Sequence, residues 1–265
     1  MTHVAIITGA SAGIGTELAR VFARNGHALV LVARRKERLA ALAAEIEAAG
    51  RPAPMVLAMD LALPDSVARI DNALATAGLE PQYIVNNAGF GLIGSAAVLD
   101  RTEQRSMIDL NVRALTELSL AFVDSLSRTG GGLLNVASVA GFLPGPGMAV
   151  YYASKAYVLS FSEALHQELK IRNVRVTCLC PGPVETEFAA RAGVIERRPP
   201  RFLTVSAARV AEAGYRGLMR GKRLVVPGVG NKIVSFLPRI LPRPLLLEIL
   251  AARQRRRMPS PASGT

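Results

Sequence analysis

The 265-residue chain contains no tryptophan, three histidines and two cysteines, and nowhere does it run for 18 apolar residues. Each shortage removes something. Without such a run, no membrane-spanning helix is expected. Two cysteines cannot staple a small fold. Cys178 and Cys180 alternate along an apolar stretch that reads as a strand, which directs both into the core. The pair is too close in sequence for a usual disulfide and lacks the C-x-x-C spacing, and histidines are so few that no metal site is expected. The opening M-T-H-V-A-I-I-T-G-A has no basic start, long apolar core or cleavage signal, so secretion is not expected and a reducing cytoplasm is.

Half of the residues are hydrophobic and a fifth are charged, which is enough to bury a large core and unlike the composition of a disordered chain. The net charge of +12 is unevenly placed. From Arg216 to Thr265 there are 11 Lys or Arg and a single acid, Glu248, a balance of +10 against +2 for residues 1 to 215. A basic protein raises nucleic-acid binding as a candidate. The nearly neutral first 215 residues, and a tail with almost no aromatic side chains for stacking on bases, argue against it.

Short apolar runs alternate with longer helical patterns, the rhythm of β-α-β units and a parallel sheet. Strands are expected at Val4 to Thr8, Ala28 to Ala33, Met55 to Met59, Tyr83 to Asn86, Gly132 to Ser138, Arg175 to Cys180 and Leu224 to Val226. Helices are expected at Ile14 to Asn25, Lys36 to Ala49, Pro64 to Ala77, Arg101 to Arg128 and Tyr151 to Ile171. The expected architecture is a doubly wound, Rossmann-type α/β fold: one domain over residues 1–230, built on a seven-stranded parallel sheet flanked by helices. Residues 231–265 form a basic, apolar C-terminal extension whose last residues, M-P-S-P-A-S-G-T, are too small and polar to pack and are expected to be disordered.

The first strand runs into T-G-A-S-A-G-I-G, with Gly9, Ser11, Gly13, Ile14 and Gly15 at the strand-to-helix turn. Glycines there permit positive φ and close approach of backbone to a pyrophosphate, and the helix N-terminus offers free N–H donors. The spacing departs from G-x-G-x-x-G, but its position after the first strand carries the assignment. At the end of the second strand, where a site preferring NAD places Asp or Glu on the ribose, this chain has Ala33 followed by Arg34. A cation and no carboxylate at that point favour the 2′-phosphate of NADP(H) over NAD(H). Ser11 could add a hydroxyl to the same phosphate, and Arg35 is a weaker candidate.

Tyr151 and Lys155, in Y-Y-A-S-K, stand four residues apart and so stack on one helical face. An ammonium beside a phenol stabilises phenolate and is expected to lower the tyrosine pKa toward the working pH, as a general acid/base requires. Ser138 ends a strand in N-V-A-S, where its hydroxyl can meet a carbonyl oxygen at the edge on which open α/β sheets bind ligands.

With these motifs in view, the chain resembles the short-chain dehydrogenase/reductase family up to about Gly230. The resemblance rests on T-G-A-S-A-G-I-G at 8–15, Asp60-Leu61 after the third strand, N-N-A-G at 86–89, Ser138 with Y-x-x-x-K at 151–155, and P-G-P-V-E-T at 181–186. Asn111, in D-L-N-V, matches the remaining catalytic position. The resemblance implies that Tyr151 donates a proton to the substrate oxygen and that Ser138 hydrogen-bonds it. It further implies that Lys155 lowers the Tyr151 pKa and grips the nicotinamide ribose, and that Asn111 holds a water joining Lys155 to solvent. Asp60 and Leu61 would face the adenine. Asn87, Ala88 and Gly89 would line the cofactor and brace the sheet. Val184 and Thr186, after Pro181 and Gly182, would hold the nicotinamide carboxamide. A homodimer or homotetramer through the helices of 101–128 and 151–171 is implied as well.

The segments expected around the substrate, 141–150 and the stretch holding Phe188, Ala189, Val194, Ile195 and Phe202, are mostly apolar, which favours a small hydrophobic ketone or aldehyde, or the corresponding alcohol. The loop from Glu187 to Phe202 could close over it as a lid. For the tail two readings stay open. Pro238, Pro242 and Pro244 limit it to short helices, which could dock on the domain or a second subunit. Alternatively residues 231–257 could make a peripheral membrane contact, leucines at the headgroup boundary and arginines on anionic lipid. A reading outside catalysis also stands: an idle dinucleotide-sensing or membrane-associated protein on the same fold.

Overall fold

The computed structural model describes residues 1–185, 187 and 201–255. In chain order its main elements are β1 (Thr2–Thr8), α1 (Gly13–Arg24), β2 (Ala28–Ala33), α2 (Lys36–Ala48), β3 (Met55–Ala58), α3 (Ser66–Thr76) and β4 (Leu79–Asn86). There follow α4 (Arg101–Ile108), a π-helical turn (Asp109–Ala114), α5 (Leu115–Ala121), α6 (Val123–Thr129), β5 (Gly132–Val136), a 3₁₀ turn (Val139–Phe142) and α7 (Ala149–Glu168). The chain closes with β6 (Arg175–Leu179), α8 (Ala207–Met219), β7 (Leu224–Val225), α9 (Val229–Phe236) and α10 (Arg243–Arg255). The seven strands form one sheet in the order β3-β2-β1-β4-β5-β6-β7, every pairing parallel. The expected doubly wound α/β architecture is therefore present.

Alternation along the strands divides the core into two layers. Ala5, Ile7, Leu29, Leu31, Val85 and Leu134 pack with Phe22 of α1, Leu39 of α2 and Val210 of α8. Their strand neighbours Val4, Ile6, Val30, Ile84 and Leu133 face the other way, onto Ile70 of α3, Leu118 of α5 and Leu165 of α7. Each fully buried side chain of this size stabilises the fold by about 1.5–3 kcal/mol.

Two elements differ markedly from the sequence expectation. The helix expected over 101–128 is broken into pieces. Asp100 caps α4 by accepting from the Glu103 N–H at 2.8 Å, and the helix then widens into the π turn at Asp109–Ala114. Ser119 Oγ bonds back to the Leu115 carbonyl at 2.7 Å, an i−4 contact that bends helices, and the helical path ends at Phe122 (φ −109°, ψ 14°). Strand β4 starts at Leu79, four residues early, because Pro81 hides its first half and a register shift opposite Val4 and Ala5 accommodates it. The line drawn at residue 230 runs through α9, whose Asn231 is buried, so the first part of the tail docks on the domain as a short helix.

Because the strands are parallel, the carboxyl ends of β1, β2, β4, β5 and β6 lie along one edge. The sheet order reverses direction between β1 and β4, and that crevice is the usual ligand site of open α/β sheets.

Candidate active site

Gly9 (φ 66°) and Gly13 (φ 57°) occupy the left-handed region in the loop after β1. A Cβ at Gly15 would sit 2.2 Å from the Gly9 carbonyl oxygen, so the third glycine is dictated by close packing of α1 on the loop. The loop is held from behind. Thr8 Oγ1 accepts from the N–H groups of Asn87 and Ala88 at 2.9 and 3.1 Å, and Asn87 Nδ2 donates to the Thr8 carbonyl at 2.9 Å. The N-cap of α1 is Ala12, which has no polar side chain, so among the described residues the first N–H groups of the helix are left for an anion. Ile14 packs on the α1-side core and Val184 on the same cluster.

The cations beside the loop are arranged differently from expectation. Arg35, ranked second on sequence, places its guanidinium on Ser11: Nε and Nη2 donate to Ser11 Oγ at 3.3 and 3.2 Å, and Nη2 to the Ser11 carbonyl at 3.2 Å. Arg34 turns instead toward Asp60, 3.7 Å away. Asp60 in turn accepts from the Ala62 N–H at 2.9 Å, while Leu61 beside it is buried. Glu187 bridges Arg35, at 2.7 Å, and Arg38. The two guanidiniums hold its carboxyl below the usual carboxylate range.

Across the crevice, Ser138 caps the 3₁₀ turn after β5 and accepts from the Ala140 N–H at 3.1 Å. Its hydroxyl shares a hydrogen bond with the Tyr151 phenol from the first turn of α7. Lys155, one turn on and buried, donates to the Val136 carbonyl at 2.8 Å, with Nζ 6.0 Å from the Tyr151 ring centroid. Burial acts on both members of the pair. Burial pushes the Tyr151 phenol up to about 12, against a lowering from the Ser138 hydrogen bond. Burial also pulls the Lys155 ammonium down to about 8. Tyr151 is thus a neutral phenol at physiological pH, the protonation state of a proton donor. Asn111, fully buried in the π turn, spends its amide on the chain itself: Nδ2 donates to the Phe90 carbonyl at 2.9 Å and to Ser154 Oγ at 3.1 Å, and Oδ1 accepts from the Phe90 N–H at 3.1 Å. A Cβ at Gly89 would lie 2.9 Å from Asn111 Oδ1 and 3.5 Å from Lys155 Nζ, so a side chain here would crowd both.

Residues 3–194 match the family model described as short chain dehydrogenase. The chain belongs to the short chain dehydrogenase family. A sulfoacetaldehyde reductase of Chromohalobacter salexigens is 42% identical over 191 residues, covering 71% of this chain and 75% of that protein. An uncharacterized oxidoreductase of Myxococcus xanthus is 34% identical over 244 residues, 92% of this chain and 94% of that one. A solved short-chain dehydrogenase from Sphingobium yanoikuyae in complex with NADPH is 31% identical, with a TM-score of 0.77 over 100% of this chain and 98% of that chain.

In this short chain dehydrogenase the remaining expected positions fall as follows. The Pro181 carbonyl accepts from the Val139 N–H at 2.9 Å and from Ser138 Oγ at 3.4 Å, tying the P-G segment to the serine turn. Gly182 has no room for a side chain, since a Cβ there would meet Asn231 Oδ1 at 2.1 Å. Thr186, and the pocket residues Phe188, Ala189, Val194 and Ile195 with most of the expected lid, lie outside the described residues. Phe202 is largely exposed.

Sequence reasoning missed two features. Leu92, Leu99, Met107, Met148, Val150 and Gln104 gather closely around Tyr151, leaving no room for a water-sized molecule among them. The first three come from a loop and from α4 rather than from the segments expected, and only tertiary packing brings them there. Beneath the crevice, buried Asn86 Nδ2 donates to Ser119 Oγ and to Asn135 Oδ1, each at 2.9 Å, and Asn135 Nδ2 donates to Ser162 Oγ at 3.0 Å. Polar residues in two central strands were the signal, since buried amides require partners. Cys178 and Cys180 are free and buried, their sulfurs 3.7 Å apart.

Proposed function

We propose that this chain is an NADP(H)-dependent oxidoreductase interconverting a hydrophobic ketone or aldehyde and its alcohol, with Tyr151 as the general acid/base. The observation that carries the reading is the buried Tyr151 phenol beside the half-buried Ser138 hydroxyl, with the buried Lys155 ammonium one helical turn away. The cofactor's requirements fit the residues present. The loop of Gly9, Ser11, Gly13, Ile14 and Gly15, with the uncapped start of α1, would hold the pyrophosphate. Arg35 with Ser11 would take the 2′-phosphate, with Arg34 in support. Asp60 and Leu61 would face the adenine, and Asn87, Ala88 and Gly89 would line the dinucleotide. Pro181, Gly182, Val184 and Thr186 would flank the nicotinamide, which supplies or accepts the hydride when bound.

The chain's own groups handle the oxygen. The Ser138 hydroxyl donates a hydrogen bond to the substrate carbonyl oxygen, where negative charge grows as its carbon is reduced. Tyr151 then delivers its phenolic proton to that oxygen, which becomes the alcohol hydroxyl. Lys155, still an ammonium below about pH 8, stabilises the resulting phenolate across the helical turn and would hold the nicotinamide ribose when the cofactor is bound. Asn111 positions the Phe90 backbone and Ser154 under Tyr151 and Lys155. The apolar side chains Leu92, Met107 and Met148 near Tyr151 favour a hydrophobic substrate. An idle dinucleotide-binding protein would have no use for an ammonium and a phenol buried together at such desolvation cost.

We further place the enzyme in the cytoplasm, which its free thiols fit, as a homodimer or homotetramer. Exposed Ile108, Leu120 and Tyr157 on α4, α5 and α7 supply an apolar face for that assembly. The tail is read as a peripheral lipid contact. NADPH absorbance followed over a panel of ketones and aldehydes tests the enzymatic reading. Turnover of apolar carbonyls with NADPH is expected, and Tyr151→Phe turning over as fast as the wild type would sink it.

A further inference from the structure

The strongest charge asymmetry of the chain and its largest run of exposed apolar side chains fall in the same place. On α9, Val229, Ile233 and Phe236 stand at i, i+4 and i+7, so they share one helical face, and they are 75%, 60% and 52% exposed. Ile240, just past the following turn, is 63% exposed. Single exposed hydrophobics are ordinary, whereas a helical stripe of them marks an interaction surface. The cations border this stripe: Lys232 is exposed on the same helix, and the Arg239 guanidinium lies 5.8 Å over the Phe236 ring.

The opposite side of α9 is bound to the catalytic framework. Asn231 donates to the Leu203 and Pro227 carbonyls at 3.1 and 2.8 Å and fills the space against Gly182, in the segment whose Pro181 carbonyl meets Ser138. One short helix therefore joins an exposed apolar face to the edge of the active site.

We infer that this face of α9, with the turn that follows it, docks on an anionic lipid surface and brings the active-site edge to the bilayer, from which the hydrophobic carbonyl substrate enters. The substrate half of this inference rests on the carbonyl reading above; the docking half does not. Charge selects the occupant. A second copy of the chain related by a two-fold axis would bring the same patch against itself, positive charge facing positive charge, with Glu248 the single acid among residues 216 to 265 to relieve it. Anionic headgroups would neutralise the same cations, while Val229, Ile233 and Phe236 reach the acyl boundary. Among the described residues no helix is long and apolar enough to cross a membrane, so the contact lies along the surface.

The test uses the full chain and sedimentation with vesicles of phosphatidylcholine alone or with about 30% phosphatidylserine. Binding to the anionic vesicles is expected, weakening on phosphatidylcholine alone and as salt rises. Ile233→Ser/Phe236→Ser should lower the partition coefficient at least tenfold with turnover of a short water-soluble aldehyde unchanged. Lys232→Glu/Arg239→Glu, which alters exposed groups alone, should do the same and guards against misfolding of the first variant. Turnover of a long-chain ketone dissolved in the vesicles should fall with binding in both. Absence of wild-type binding, or equal binding by both variants, overturns the docking. A change of oligomeric state in the variants with vesicle binding retained assigns the face to a second copy and overturns it equally. Ketone turnover that survives loss of binding overturns delivery from lipid. Failure of the wild type on the short aldehyde, with vesicle binding intact, strikes the carbonyl reading and leaves the docking standing.

Discussion

Substituting Arg35 by alanine separates the two candidate phosphate ligands, because the two arginines lie against different partners. Arg35 lies on Ser11 beside the glycine loop, whereas Arg34 is drawn 3.7 Å from Asp60. A guanidinium facing a phosphate at about 4 Å interacts by about 1–4 kcal/mol between bulk-water and near-surface dielectric. The Arg35 side chain is 42% exposed, which keeps the effect in the middle of that range, about 1.5–2.5 kcal/mol, or roughly a ten- to seventy-fold rise in Kd. Arg35→Ala should therefore weaken NADPH by that factor and NADH by less than about threefold, and Arg34→Ala should weaken NADPH several-fold at most. Glu187 adds a sign test. Its carboxylate already occupies Arg35 and Arg38, so an incoming phosphate must displace it. Glu187→Gln should tighten NADPH binding, most strongly at low salt. Cofactor fluorescence titrated at fixed ionic strength measures all three. Equal losses of NADPH and NADH in Arg35→Ala, or a larger loss in Arg34→Ala, would refute the assignment.

Other expectations follow from the same geometry. Gly15→Ala would force a Cβ to within 2.2 Å of the Gly9 carbonyl oxygen, so it should abolish cofactor binding and lower stability by about 1–3 kcal/mol in denaturant titration. Lys155, held down to about 8 by burial when the unfolded side chain titrates near 10.4, binds fewer protons in the fold than in the unfolded chain between those values. Stability should therefore rise as pH climbs from about 8 to 10. Lys155→Met should raise Tm at pH 7 by a few degrees while abolishing activity, the relieved desolvation exceeding the lost bond to Val136; a fall in Tm contradicts that sign. Activity that needs the Lys155 ammonium should decline above about pH 8, read from the pH dependence of kcat/KM. Asn135→Ala removes partners from both Asn86 and Ser162 and should cost about 2–3 kcal/mol in the same denaturant titration.

What could be read directly from the sequence was governed by local rules. Apolar runs bounded by turn residues marked all seven strands, and the glycines of the first loop announced a backbone that no side chain could share. Tyr151 and Lys155 were legible because four residues on a helix make neighbours. What escaped depends on distant partners. Whether Arg34 or Arg35 reaches Ser11 is settled by Asp60 and Glu187, one of them 152 residues from Arg35 in the chain. The π turn that buries Asn111 leaves no periodic trace, since one widened turn sits inside an otherwise helical pattern. The upward shift of Tyr151 needed its burial, which spacing from Lys155 could not report. Composition alone could not show that Asn231 anchors α9 to the Leu203 carbonyl.

The central claim is that Tyr151 protonates a substrate oxygen in an NADP(H)-dependent reduction. The most direct measurement is single-turnover reduction of a hydrophobic aldehyde at saturating NADPH, comparing wild type with Tyr151→Phe, whose ring keeps the packing and loses only the hydroxyl. The account predicts a rate about 10²–10⁴-fold lower in the variant with NADPH affinity within about twofold of wild type. Equal single-turnover rates in the two proteins would contradict it.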